Sequence, residues 1–255
     1  MRLFVHQLRG EQRLFWRSRE LAFFTFLFPV ILFALLGSVY GDDTIRKEGG
    51  IKASAYLLAG LIGYGAIATA FAGLSIVLVI RRESGVLKRV RGTPLPPSTY
   101  VAASLGSTTI VYLIEVVILI VLARLLYDVP VPDHPSQWVS LVLAVLLGVL
   151  SFAALGLALT GAIRSDEGAS AVVNAIFFPV AFLAGAFWSA RTFPGPVEAI
   201  SDVLPLTYLI RLMRDILIFD ESIWENWQSV AVVAGWGLLG LVLAVRFFRW
   251  TPREG

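Results

Sequence analysis

Residues 53–80 read ASAYLLAGLIGYGAIATAFAGLSIVLVI, and residues 81–97 continue as RRESGVLKRVRGTPLPP. The first stretch is free of charge, whereas the second holds five lysines and arginines among glycines and prolines. A further apolar stretch lies at 99–123, where Glu115 is the only charged residue. Because about 20 apolar residues in a helix cross a bilayer, the short basic segment must lie at a membrane face between two spans.

The composition of the whole chain extends this interpretation. Of its 255 residues 57% are hydrophobic and only 15% are charged, and the mean hydropathy is +0.79. A soluble domain of this size needs a much more charged surface. The apolar runs are continuous and twice as long as the alternating strands of a membrane barrel, which have about 10 residues. The sequence therefore predicts an all-α, polytopic membrane protein.

Six spans are predicted in one membrane domain that comprises residues 1–255. Their approximate bounds are 21–41, 55–80, 99–123, 138–162, 169–189 and 226–246. If the N-terminus is inside, the inner segments hold fourteen lysines and arginines and the outer segments hold seven. Positive residues prefer the cytoplasmic side, so both termini are predicted to be cytoplasmic.

Two further segments are predicted to be helical without crossing the membrane. Residues 2–17 form a basic amphipathic pattern, which favours a helix lying in the membrane interface; the alternative is an ordinary cytoplasmic helix packed on its own bundle. Its predicted interfacial residues are Arg9, Arg13, Trp16 and Arg17. Residues 190–225 are interrupted by prolines but include an apolar helical face and an Arg211–Asp215 pair at i, i+4. This region is predicted to form two short re-entrant helices in the outer leaflet, with a break at Pro205.

Several kinds of chemistry are excluded by the sequence. It contains no cysteine and only two histidines, His6 and His134, which are too isolated for a metal cluster. No G-x-x-x-x-G-K-[ST] phosphate loop is present, so any ATP hydrolysis must take place on another polypeptide. The net charge of +3 is explained by basic cytoplasmic loops, and no nucleic-acid partner is expected. We predict no catalytic residue, no metal site and no cofactor bound by this chain.

Within the basic segment 81–98, residues that break helices lie on both sides of a short stretch. Gly85 should break the helix that continues from the second span, and Pro94, Pro96 and Pro97 should end the next helix. A helix of about two turns fits between these breaks, with Val86, Leu87 and Val90 on an apolar face and Lys88, Arg89 and Arg91 around it. A basic loop that binds lipid headgroups would explain the charges, but it would not explain the glycine and proline bracketing.

Two sequence segments, RRESGVLKRVRGTPLPPSTYVAA from residue 81 and LPLTYLIRLMRDIL from residue 204, resemble the ABC-2 type permeases. The likeness is greatest to daunorubicin-resistance-type drug exporter permeases and covers essentially the whole chain. It implies a cytoplasmic coupling helix that binds in a groove of a separate ATPase subunit. It also implies a permease homodimer with two ATPase subunits, which bind the ATP and Mg²⁺. This sequence departs from the family in having Arg82 where an acidic residue is frequent.

The resemblance assigns the coupling element and ATPase interface to one continuous segment. Its residues are Glu83, Ser84, Gly85, Val86, Leu87, Lys88, Arg89, Val90, Arg91, Gly92, Thr93 and Pro94. Within the spans, polar residues at membrane depth indicate function by default. Glu115 could face a substrate path and attract cationic amphiphiles, or exchange protons, or be hydrogen-bonded to a neighbouring helix. Asn174 and Phe178 are the other candidates for a substrate path, and helix packing is the alternative for both.

The leading expectation is the permease subunit of an ATP-driven exporter in a bacterial plasma membrane. It would move an amphipathic drug-like or lipid-linked substrate by alternating access. The alternative within the class is an exporter of lipid-linked polysaccharide or teichoic-acid precursors. A channel or scaffold without ATP coupling is the alternative of another class, although no filter motif is present. An intramembrane enzyme is disfavoured because no nucleophile–base pair lies at membrane depth.

Overall fold

The computed structural model describes residues 1–40, 43–45, 50–188 and 193–251, and nearly all of them are helical. The helical segments are α1 (Arg2–Arg17), α2 (Arg19–Tyr40), α3 (Ala53–Gly65), a π-helical segment (Ala66–Gly73), α4 (Leu74–Glu83), α5 (Val86–Arg91), α6 (Pro97–Tyr127), α7 (Pro135–Thr160), α8 (Asp166–Leu183), α9 (Gly195–Ser201), α10 (Pro205–Ile218) and α11 (Trp227–Phe247). A short antiparallel pair, β1 (Thr44–Ile45) and β2 (Ile51–Lys52), precedes α3.

Six helices within the described residues are long and apolar enough to cross a membrane. They are α2, the continuous helix Ala53–Glu83, α6, α7, α8 and α11. This confirms the prediction of an all-α protein with six spans. The predicted ends of the first span at residue 41 and of the fifth at residue 189, and the predicted start of the outer region at residue 190, lie outside the described residues.

The second span, Ala53–Glu83, forms the centre of the bundle. In its most apolar stretch 72% of the residues are buried, compared with 17–22% in α2, α8 and α11. The span is rich in glycine and alanine, and small residues allow helix backbones to approach closely. The outer helices keep large apolar side chains exposed, such as Phe24, Phe178 and Leu238. The second span is therefore surrounded by protein, while the outer helices have faces suited to lipid.

The first helix and the residues directly after α11 lie at the end of the bundle that carries α5, which we call the basic end. The ring of Trp250, near the C-terminus, lies 6.0 Å from the ring of Tyr100 near the start of α6. At the N-terminus, Glu11 of α1 forms an ion pair with Arg81 of α4. A chain with an even number of spans returns to the side of the bundle from which it started. The contacts of Trp250 and Glu11 agree with this rule.

The helices α9 and α10 form the interrupted segment between the fifth and sixth spans. Pro205 is the first residue of α10, a position that suits its fixed φ and missing N–H. The apolar side of α10 is almost fully buried, and this helix packs against α3, α7 and α11. The predicted pairing of Arg211 with Asp215 is wrong, because Arg211 forms its ion pair with Asp202, which the break before Pro205 brings back to α10.

Polar side chains tie α10 to the neighbouring spans. The Nη2 of Arg214 donates to the carbonyl of Gly185 at 2.7 Å, and its guanidinium carbon lies 3.5 Å from the centre of the Tyr56 ring. Burial, followed by the charge of Glu221, raises the pKa of Asp215 to about 6, although Arg214 and Arg211 act in the opposite direction. Arg214 thus joins α10 to the second span and to the turn after α8.

Candidate functional site

The second span ends in a sharp turn that leads directly into α5. Gly85 has a φ of +73°, a left-handed conformation that glycine adopts without strain. The helix α4 ends at Glu83, and α5 comprises only the six residues Val86–Arg91. At its far end Thr93 donates from its hydroxyl to the carbonyl of Val90 at 2.7 Å. The segment is therefore a short helix held between two turns.

The predicted apolar face of α5 is directed toward the chain's own bundle. Leu87 is completely buried, and Val90 packs against the hydrophobic core of the same chain. The opposite side is exposed and consists of Lys88, Arg89 and Arg91. The surface that α5 offers to another protein is therefore cationic, because its apolar side chains hold it against the bundle.

The other residues of the predicted coupling element surround this cationic surface. Ser84, Gly92, Thr93 and Pro94 are exposed. Glu83 is largely buried at the end of α4, where its Oε1 accepts from the Nε of Arg82 at 2.6 Å. The structure thus separates the segment into an exposed part, available to a partner, and the residues Glu83, Leu87 and Val90, which face the chain itself.

Arg82 is buried, unlike the exposed cations of α5. Only 1% of it is exposed. Its Nη1 donates to the carbonyl of Thr160 at 2.6 Å, and its Nη2 donates to the carbonyl of Ile163 at 2.7 Å. The last carbonyls of a helix lack intrahelical donors and carry partial negative charge. Arg82 therefore binds the last carbonyl of α7 and that of Ile163 just beyond it, and fixes the end of the fourth span to the start of the α4–α5 turn.

Arg81 connects the same end of α4 to α1 and α6. Its Nη1 donates to Oε2 of Glu11 and to the hydroxyl of Tyr100, both at 2.8 Å. Glu11 belongs to α1 and is 6% exposed, while Tyr100 lies in the first turn of α6. The adjacent residues Arg81 and Arg82 thus connect the base of α5 to α1, α6 and α7.

The predicted membrane-interface residues all lie on α1. Arg9, Arg13, Trp16 and Arg17 are exposed. The Trp16 ring stacks on Phe26 of α2 with 5.6 Å between the ring centroids. Next to Trp16, which donates to its Oε1 at 3.0 Å, Gln12 of α1 contacts α6 and donates to the hydroxyl and the carbonyl of Ser107 at 3.0 Å. The helix thus has one face bound to the bundle and a basic face directed outward.

The three predicted substrate-path residues line a single cavity. Glu115 on α6 and Asn174 and Phe178 on α8 contribute to a space of about 620 Å³ between α1, α2, the second span, α6 and α8. Its volume is in the range of pockets that enclose drug-sized ligands. The Glu11–Arg81 pair lies at the basic end of the same cavity. The second span therefore connects the cavity that contains the candidate substrate-path residues with the base of α5.

Glu115 is held where the second span departs from α-helical geometry. Its Oε2 accepts from the hydroxyl of Thr69 at 3.1 Å, and Thr69 belongs to the π-helical segment Ala66–Gly73. A Cβ at Gly65 would lie 2.6 Å from Oε1 of Glu115, so the glycine leaves the space that the carboxyl group occupies. π-Helical turns inside α-helices occur frequently at functional sites.

Sequence reasoning missed four features of this site. The π-helical segment has no distinctive signal among glycines and alanines that also suit close packing. The inward direction of Arg82 could not be distinguished from its neighbours in a basic run. The pairing of Glu11 with Arg81 joins residues 70 positions apart. The burial of Leu87 depends on which way the Gly85 turn directs α5, although the apolar side of the helix was recognisable.

Comparison with known proteins gives a consistent family assignment. The family model described as ABC-2 type transporter matches residues 2–218. YvfS of Bacillus subtilis (strain 168), which is named as a transport permease, is 20% identical over 251 residues, covering 96% of each chain. ABC transporter G family member 20 of Dictyostelium discoideum is 23% identical over 196 residues, which are 74% of this chain and 26% of that longer protein.

The family match includes every feature of the site described above. Residues 2–218 extend from α1 through the α4–α5 turn and the cavity to the end of α10. The similarity to YvfS also includes the sixth span, since it covers nearly the whole of both chains. With six helices suited to crossing a membrane, this chain belongs to the ABC-2 type transporter family.

Proposed function

We propose that this chain is the permease subunit of an ATP-driven exporter whose ATP is hydrolysed on a separate ATPase subunit. Membership of the family makes the chain a multi-pass membrane component of an ABC transporter, not itself a catalyst. The ATP coupling, the outward direction and the amphipathic substrate are parts of the proposal. So are the bacterial plasma membrane, the cytoplasmic location of both termini and the pairing of two copies of this chain with two ATPase subunits.

The observation that carries the proposal is the way α5 is attached. Three exposed cations, Lys88, Arg89 and Arg91, lie on a helix whose other side is anchored by the fully buried Leu87. A loop that only attracts lipid headgroups needs the charges but not the anchoring. Since the anchored helix has too little freedom to absorb a displacement, a partner that moves it also moves the bundle.

The base of α5 indicates where such a displacement would go. Arg82 would pass it to the end of α7, to which it is bound through two carbonyls. Arg81 would pass it to α1 and α6 through Glu11 and Tyr100. The second span itself leads from this point to the π-helical segment beside the cavity. Alternating access would then consist of repacking these helices around the cavity and against the second permease copy.

The substrate is proposed to be amphipathic, either drug-like or lipid-linked. The cavity walls are mostly apolar, and their polar groups are several hydroxyl groups, the amide of Asn174, the carboxyl group of Glu115 and the Glu11–Arg81 ion pair. A very hydrophilic solute would leave its polar groups without partners there, which is costly in a buried site. ATP and Mg²⁺ would be bound by the partner subunit, and this chain would contribute the docking surface that responds to them.

We predict that reversing two charges on α5 separates the chain from its ATPase. In Lys88→Glu/Arg89→Glu the exposed surface of α5 loses two cations and gains two carboxylates. The ATPase surface that complements the cations would then face charges of its own sign. The chain is co-expressed with any phosphate-loop ATPase that a neighbouring gene encodes, and both co-purification and stimulated ATP hydrolysis are measured. Both are expected to fall strongly, because charge complementarity determines partner recognition and like-charge contacts are costly.

The matched control carries the same charge change elsewhere at the basic end. Arg246→Glu/Arg249→Glu reverses two exposed cations near the C-terminus and keeps the net charge equal to that of the α5 variant. It is expected to retain the complex. Unchanged co-purification and unchanged ATP hydrolysis in the α5 variant would contradict the proposed function.

A further inference from the structure

We propose that a groove between α8 and α11 binds an anionic phospholipid, with one acyl chain in the groove and the phosphate group at Arg164 and Arg246. The groove has a volume of about 620 Å³ and shares no lining residue with the cavity beside Glu115. All of its lining residues are apolar, whereas that cavity also carries hydroxyl, amide and charged groups. The inference does not rest on the proposed function, because the groove includes no residue of α5 or of the candidate substrate path.

The groove has a buried floor and exposed edges. Ile67 and Phe71 of the second span and Phe152 of α7 line it and are buried, so they form its floor. Ile176 of α8 and Phe247 of α11 line it and are exposed, so they form its edges. Both edge helices are suited to crossing a membrane. An apolar chain therefore fills this groove at a lower free energy than water does.

The length of the groove matches one leaflet of a bilayer. Along α11 it extends from Trp236 to Phe247, which at 1.5 Å per residue is about 16 Å. The hydrocarbon core of a bilayer is about 30 Å thick, so one leaflet takes up about 15 Å. An acyl chain that enters beside Phe247 at the basic end can therefore lie in the groove within a single leaflet.

Two exposed cations lie at the basic end of the groove. Arg164 follows closely after Ala162, which lines the groove. Arg246 directly precedes Phe247, which lines it from α11. The two segments touch, since a Cβ at Gly161 would lie 2.6 Å from the carbonyl oxygen of Phe247. Basic residues beside a pocket between helices at a membrane face favour anionic headgroups.

No described acidic side chain forms an ion pair with either cation. The ion pairs within the described ranges belong to other arginines. Asp166 and Glu167, the acidic residues that follow Arg164, lie in the first turn of α8. There the positive end of the helix dipole stabilises their charges. A lipid phosphate can therefore supply the counter-ion for Arg164 and Arg246.

The same cations disfavour a second copy of this chain as the occupant. A two-fold symmetric interface uses the same surface patch on both copies. Two copies in one membrane have their basic ends side by side, so a contact between their grooves would bring Arg164 and Arg246 of one copy towards those of the other. Like charges across an interface are costly, and an anionic lipid removes this cost.

Lipid binding is measured by native mass spectrometry of the delipidated chain in detergent, with phosphatidylglycerol and phosphatidylcholine of identical acyl chains as the probes. Arg164→Gln/Arg246→Gln is expected to weaken binding of the first phosphatidylglycerol about 5- to 30-fold, because each cation near an anionic headgroup contributes roughly fivefold. Binding of the zwitterionic phosphatidylcholine should change by less than about twofold. Lys52→Gln/Arg124→Gln removes the same charge from exposed residues at the opposite end of the bundle and should leave the preference for phosphatidylglycerol unchanged.

A second variant tests the place of the acyl chain. Ala158 lines the groove, so the large ring of Ala158→Trp takes up space that the chain would fill. Both lipids should bind about 10-fold more weakly, as when one or two methylene groups lose their contacts. Ala234→Trp is the matched control, because Ala234 is exposed on α11 and lies outside the groove; it should bind both lipids normally.

Equal phosphatidylglycerol affinity in the unsubstituted chain and in Arg164→Gln/Arg246→Gln would overturn the inference. A phosphatidylglycerol with a diazirine in its acyl chain locates the site in the unsubstituted chain, so the test does not depend on the folding of a variant. Adducts are expected on groove residues such as Trp236 and Leu243. Adducts found only elsewhere overturn the inference, and so does a groove that a second copy of the chain shields from the label.

Discussion

Replacing Arg82 with methionine is expected to destabilise the chain and to abolish ATPase stimulation. Methionine fills a similar volume, but the carbonyls of Thr160 and Ile163 lose their donors in a buried place. Unsatisfied buried groups of this kind cost about 1–3 kcal/mol each, so the free energy of unfolding should fall by about 2–4 kcal/mol. The apparent melting temperature in detergent and the ATP hydrolysis of the complex are the measurements.

Arg89→Met is the matched control for this prediction. It makes the same substitution on α5, but Arg89 is exposed, so stability should change by no more than about 0.5 kcal/mol. Arg82→Lys should be intermediate, because a single ammonium group cannot bind both carbonyls with the geometry of a guanidinium. Equal melting temperatures of Arg82→Met and the unsubstituted chain would show that the cap on α7 is not needed.

Leu87→Ala is expected to detach α5 from the bundle while the six spans stay folded. Leu87 is fully buried, and such truncations cost about 2–5 kcal/mol in packing. A helix of six residues has no stability of its own in water, so α5 depends on this contact. Hydrogen–deuterium exchange of the amides of residues 84–92 should become faster, and ATPase stimulation should fall.

Val86→Ala is the comparison for this variant, because Val86 lies on the same short helix and is only half-buried. Its effect on exchange should be clearly smaller. If exchange in residues 84–92 is as slow in Leu87→Ala as in the unsubstituted chain, α5 is held by other contacts. The claim that Leu87 anchors α5 to the bundle would then be wrong.

The large features of the fold follow from sequence patterns with strong physical causes. Long uncharged runs predict the six spans because backbone in lipid must satisfy its own hydrogen bonds. Gly85 and the prolines from Pro94 onward predict a short helix between two breaks, since glycine permits the turn and proline ends a helix. These are local effects, in which each residue acts on the backbone near itself.

The features that sequence reasoning missed depend on distant neighbours. Arg82 is one of five cations in its segment, and only the end of α7, about 80 positions further on, directs it inward. The same applies to Leu87, whose burial follows from the direction of the turn at Gly85. Glu115 was recognisable as unusual, but the space and the hydrogen bond of its carboxyl group depend on Gly65 and Thr69 in another span.

These placements change the account of how α5 works. From its sequence, α5 could present an apolar face to an ATPase, with the charges as a rim. In the structure the apolar face belongs to the chain's own packing, and the cations alone remain outside. The interaction with the ATPase is therefore expected to be weakened by salt, as contacts between exposed charges are, while the link from α5 to the spans is not.

The central claim is that α5 is the contact through which an ATPase moves this bundle, and cross-linking from α5 tests it most directly. The sequence has no cysteine, so Lys88→Cys introduces a single thiol for a benzophenone maleimide, and Arg124→Cys introduces one on an exposed residue at the opposite end. The account predicts a covalent adduct with the ATPase subunit from position 88 and none from position 124. An assembled complex that gives no adduct from position 88 would contradict it.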